Sequence, residues 1–248
     1  MKTASSLDRA LLACGVASTP VFYTLAALQL ALRPGYDIRT QPISFLALGE
    51  LGWIQVANFM VSGALALAGA LGLRRVLHGQ PGGTAGPILA GLYGLGMIGA
   101  GLFAPDPLPA PGQTPQMSAT GAVHMVAFLV SFLSLIAACF VFARRFNAAG
   151  KRGWALYSMA TALLAPGLVA ASMANPSWAG VIVGGAGLVL FGWYSLVAFT
   201  IHGETSPAGS LSQKQQRPDA GSASPACDSA QAAPTKAGTA LSVLLHRD

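Results

Sequence analysis

Charge is what this sequence has least of. Of its 248 residues only 9% are Asp, Glu, Lys or Arg, whereas 53% are hydrophobic, and the mean hydropathy is +0.57. Soluble domains carry about 25% charged residues, so a water-soluble globule is excluded at the outset. Cysteine is also scarce. Cys14, Cys139 and Cys227 form no CxxC pair and no Cys/His cluster with zinc spacing, which excludes a disulfide framework and a structural metal site. There is no phosphate loop, no dinucleotide fingerprint and no axial histidine pair for haem. The chain therefore reads as having no cofactor and no bound metal.

What charge exists is unevenly placed. Residues 1–203 hold ten Lys/Arg and four Asp/Glu, and residues 204–248 hold four of each. The net +6 thus belongs to the apolar part, where it marks membrane sidedness rather than nucleic-acid binding.

A helix needs about 20 mainly apolar residues to cross a bilayer core. Between Val76 and Ala143 the only ionisable Asp, Glu, Lys or Arg is Asp106, and from Gly153 to Gly203 there is none. Each stretch holds two spans and a turn. The expected spans are 11–32, 53–73, 86–103, 122–143, 154–174 and 178–201. Continuous runs rich in Leu, Ala and Gly, without period-two alternation, argue against a β-barrel. The run 11–32 outlasts a signal-peptide core and ends without a small-residue cleavage site, so it reads as a retained helix. The fold class is all-α: a six-helix transmembrane bundle over residues 1–203, followed by a disordered cytoplasmic tail over 204–248. That tail is rich in Ser, Pro, Ala, Gly and Gln and is expected to be dispensable for folding.

Orientation follows from the basic residues. Arg74 and Arg75 fall in the second loop, and Arg144, Arg145, Lys151 and Arg152 in the fourth. The third and fifth loops have none, and the first has Arg33 and Arg39. Positive-inside logic puts both termini in the cytoplasm and the odd loops outside, in a cytoplasmic (inner) membrane.

Small residues predict close helix contacts: Gly91, Gly94, Gly96, Gly99 and Gly101 in span three, Gly180 and Gly184 in span six, and Ala64, Ala68 and Gly72 in span two. Internal packing is the first reading, and a homo-oligomer is the other. Pro166 falls inside span five, where it removes a backbone donor. Gln55 and Asn58 lie one turn apart within span two and read as interhelical hydrogen-bonding residues.

Six residues are candidates for chemistry, all expected near the outer surface: Asp37, Arg39, Ser44, Glu50, Asp106 and His124. Ile43–Leu51 is too short to span and reads as an interfacial or re-entrant helix. Ser44, His124 and Asp106 could supply nucleophile, base and orienter, but no G-x-S-x-G elbow accompanies them. A histidine just inside the apolar zone needs a hydrogen-bond partner, and Asp106 is the carboxylate nearest in sequence. The expectation is an Asp106–His124 pair with Asp37, Arg39 and Ser44 closing over it. Spans without Asp, Glu, Lys or Arg count against an ion-coupled transporter. The expected partners are the lipid bilayer and a lipid or small-molecule ligand, with no nucleic acid.

The run RPGYDIRTQPISFLALGELGWIQVANFMVSGAL, then GLFAPDP, then TGAVHMVAFLVSF, resembles the bacterial membrane-protein family catalogued as domain of unknown function 998. The resemblance covers roughly residues 8–201 and rests on Asp37, Ser44, Gly52-Trp53, Asn58-Phe59, Asp106-Pro107 and His124. It implies a multi-pass membrane protein and adds no reaction. The third loop departs from the pattern, because Leu108–Pro111 delays the next glycine to Gly112.

Overall fold

The computed structural model describes residues 4–109, 112, 114 and 116–205. The segment 206–248, to which the tail expectation applies, lies outside the described residues. Six α-helices account for most of the rest: α1 (Ser6–Ala31), α2 (Gly52–Val76), α3 (Ala85–Leu102), α4 (Ala119–Ala148), α5 (Arg152–Ala174) and α6 (Ala179–Glu204). By length and composition all six can cross a membrane, and the described residues contain no strand.

The helices match the expected spans closely and extend beyond the apolar runs where polar residues cap them. Ser5 accepts the Asp8 amide while Asp8 accepts the Ser5 amide, so α1 starts several residues early. Ser118 caps α4 by accepting the Gly121 amide at 3.0 Å. In the first loop only Ile43–Ala47 is helical, as one short 3-10 turn, and this corrects the longer helix expected over Ile43–Leu51. Leu48 is extended and Gly49 takes φ +78, a conformation available to glycine at little cost, so the turn ends there.

Each helix packs on its neighbours in the chain, and α6 returns to α1 to close a ring. Glycines set the closest crossings. Gly63 of α2 and Gly94 of α3 are so near that a Cβ on either would stand 2.8 Å from the other's carbonyl oxygen. Gly15 of α1 similarly meets Gly69 of α2. Gly96, on the opposite side of α3, lets Ser131 and Ala127 of α4 approach. Span three is glycine-rich because it is held tightly on two faces. In α2 the contacts run through Gly63, Gly69 and Gly72, whereas Ala64 faces outward.

Buried hydrogen bonds add specificity. Tyr194 donates to the Ala66 carbonyl at 2.7 Å, Trp193 Nε1 donates to Ser158 Oγ at 3.0 Å, and Thr19 donates to the Phe191 carbonyl at 2.7 Å. Asn58 bridges to the Phe22 carbonyl of α1 at 2.9 Å, as expected of an interhelical residue. Gln55 instead serves Asn58 on its own helix, at 3.2 Å.

Candidate functional site

The first loop is held from below by two residues that the sequence reading did not single out. Gln29, fully buried, donates to the Leu46 and Leu51 carbonyls at 2.9 and 2.8 Å. Arg33 donates to the Leu46 carbonyl at 3.2 Å and stacks on Tyr36. The available signal was position: a glutamine facing into a span, and an arginine one turn beyond it.

Asp37 and Arg39 shape the next turn. The Asp37 carboxylate accepts the Arg39 Nε at 3.0 Å and the Arg39 amide at 3.1 Å. The Arg39 side-chain bond holds the Asp37 pKa below the ordinary carboxylate value, and Asp37 raises that of Arg39 in turn. The turn docks on the start of α6, where the Gly180 amide donates to the Arg39 carbonyl at 2.8 Å. A Cβ on Gly180 would run into the carbonyls of Ile38 and Gln41, so this glycine serves packing within the chain.

The expected Asp106–His124 pair does not form. Asp106 lies against the N-terminus of α4, where it accepts the Ser118 amide at 2.9 Å and the Ser118 hydroxyl at 2.6 Å. These bonds lower its pKa, and a carboxylate there also suits the helix dipole. His124 Nδ1 sits 2.8 Å from the Phe103 carbonyl and 3.1 Å from that of Ala100. The reason is geometric. The last turn of α3 leaves unpaired carbonyls beside His124, while Asp106 is engaged by the amide and hydroxyl that begin α4.

His124 and Ser44 do share a cavity of about 80 Å³ at the end of the bundle that carries the first and third loops. Its floor is buried: Phe22, Phe59, Met97, Ala100, His124, Ser131, Phe132, Gly187 and Phe191. Its mouth is marked by lining residues that keep some exposed surface, namely Tyr23, Pro42, Ile43, Ser44, Phe128, Val183 and Gly184. Every helix except α5 contributes. Among the described residues Ser44 and His124 are not hydrogen-bonded to each other. Of the six candidates, then, Ser44 and His124 line the cavity, Asp37 and Arg39 shape the loop beside it, and Asp106 caps α4. Glu50 is exposed and bonds no described side chain. No group of three His, Cys, Asp or Glu among the described residues could hold a metal ion.

Six long apolar helices, each packed on its neighbours in the chain, define a multi-pass helical membrane protein. The family described as Protein of unknown function (DUF998) matches residues 16–200, and the chain belongs to it. No curated protein and no solved structure matches.

Proposed function

We propose that this protein binds a lipid-like small molecule in the cavity between α1, α2, α3, α4 and α6, from the outer leaflet of a cytoplasmic membrane. The carrying observation is an aromatic and aliphatic chamber with one buried histidine in its wall. Ligand sites are typically concave and mostly apolar, with a few convergent polar groups that orient the ligand. The outward orientation rests on the placement of lysine and arginine, with both termini cytoplasmic. Reporter fusions after residues 80 and 149 should read cytoplasmic, and fusions near 40 and 176 external. An external signal at Lys151 would overturn the orientation.

The binding test uses a decyl chain bearing a diazirine, photolysed with the protein in nanodiscs. Saturable labelling of Phe128, Phe132 or Phe191 is expected. Gly184→Leu should remove it, because Gly184 faces Ile43 across the mouth. Labelling confined to the lipid-facing surface, and never saturating, would sink the reading.

A lipid-directed hydrolase is the second reading, favoured by the presence of Ser44 and His124 in one cavity. It requires a fluorophosphonate probe to label the protein at Ser44 and to fail on Ser44→Ala.

A further inference from the structure

The polar atoms of the cavity have a common character. His124 Nδ1 faces two carbonyl oxygens, at 2.8 and 3.1 Å, and a carbonyl can only accept. Nδ1 therefore carries the hydrogen, and in the neutral ring Nε2 is left as a bare lone pair. The ring is only 6% exposed and meets Phe59 edge to face, with centroids 6.2 Å apart. Nε2 has no partner among the described residues, yet it is not one of their sealed polar atoms, so it remains reachable from the cavity.

The other polar side chains repeat the pattern. Ser131 donates its hydrogen to the Tyr93 carbonyl at 3.2 Å, and Tyr23 donates its own to the Gly184 carbonyl at 2.8 Å. Both oxygens turn only lone pairs toward a ligand. Ser44, at the mouth, is the one lining side chain whose hydrogen is not already given to another described residue. No lysine, arginine, aspartate or glutamate lines the cavity.

From this we infer that the ligand of the cavity is an uncharged hydrogen-bond donor on an apolar body, a lipophilic alcohol or phenol whose hydroxyl is accepted by His124 Nε2. Below the mouth, against His124 Nε2, Ser131 and Tyr23, a carbonyl or ether head would set lone pair against lone pair. A carboxylate or phosphate would do the same and would be buried without a cation, which is costly. An ammonium would lack a counter-charge. The inference rests on the binding reading above and names the ligand class for that site.

The test compares three probes with one body and different heads: 4-octylphenol, 4-octylanisole and 4-octylbenzoate. Each is titrated against the saturable diazirine photolabel in nanodiscs at pH 8. The phenol should displace the label at a concentration about tenfold lower than the anisole, as one added hydrogen bond implies, and the benzoate should be weaker still. His124→Phe keeps an aromatic ring but removes the acceptor, so it should bring the phenol to the anisole's level and leave the anisole unchanged. Should that variant not fold, the wild-type ranking decides together with Tyr23→Phe, which should keep the phenol's advantage because the phenol's one hydrogen goes to His124, whereas loss of the advantage there would overturn His124 as the acceptor. Equal displacement by phenol and anisole, or preference for the benzoate, would overturn the inference while leaving the binding reading intact. Absence of any saturable label in the wild type would overturn both.

Discussion

At the arginine-bearing end of the bundle, polar ties run between elements far apart in sequence. Asp8 of α1 holds Arg75 of α2 at 2.5 Å, and Lys151, before α5, pairs with Glu204 at the end of α6. Arg145 of α4 reaches the Pro81 carbonyl at 3.0 Å and Gln80 at 2.7 Å in the second loop, and Arg74 reaches the Gly83 carbonyl at 3.2 Å. At the opposite end the one ion pair among the described residues, Asp37–Arg39, spans two positions and shapes a single turn. There the elements are joined by side chains donating to carbonyls, and a chamber is left between the helices. One end holds the helices together, and the other has kept room beneath its loop.

That contrast can be broken most severely at the glycine crossings. Gly69→Leu would drive a side chain into Gly15 and the Tyr194 hydroxyl. It should cost about 3 kcal/mol or more, or prevent folding altogether. Gly184→Leu, at the cavity mouth, should leave the melting temperature nearly unchanged. Thermal unfolding of the two variants in detergent makes the comparison, and equal losses would show that the chamber end is packed as tightly as the other.

A smaller effect is expected at His124. Replacement by Ala strips a hydrogen bond from the last turn of α3 and should cost about 1–3 kcal/mol. Because Asp106 serves different partners, His124→Ala combined with Asp106→Asn should be additive in a double-mutant cycle. Strong coupling between them would restore the direct pair.

Trp193→Phe tests the arginine-side half by removing the donor to Ser158 between α6 and α5. The expected loss is about 0.5–2 kcal/mol, the range found for buried interhelical hydrogen bonds in membranes. No loss would mean that this bond adds nothing to the tie.

The smallest effect is a response to acid. The carboxyl pKa of Asp106 is lowered from 3.8 in the folded protein by its bonds to Ser118. A folded pKa below the unfolded one adds stability above the unfolded value, and that stability is lost as pH falls through the folded value. Protection of the Ser118–Gly121 amides, relative to exchange in an unstructured chain, should therefore fall as the Asp106 carboxylate is protonated in acid. In Asp106→Asn that protection should be lower already at neutral pH and should not fall further in acid. Protection that rises on acidification would reverse the sign and refute the cap.

The six helices were legible because crossing a bilayer demands long apolar runs, and the chain supplies six. Their true ends were less so, since the caps at Ser5 and Ser118 lie in polar sequence outside those runs. The polar residues of the first and third loops could be named from the sequence, but their partners could not. Asp106 and His124 are 18 positions apart across a turn, and which partner each takes depends on how α3 ends beside α4. Gln29 was not singled out, and Arg33 was read only as a loop charge, because their partners are backbone carbonyls, which carry no mark in sequence.

Composition and spacing by themselves determined the solvent, the number of helices and the end of the bundle at which most basic residues collect. These follow from the hydrophobic effect and from charge, which act on residue type. Only the tertiary structure decided that Ser44 and His124 line one chamber, that Asp106 stands apart from it, and that Nδ1 of His124 lies against the Phe103 and Ala100 carbonyls. Those outcomes depend on helix rotation and on approach distances set at a few glycines, and hydrogen-bond partners change over an ångström where hydrophobic pattern does not.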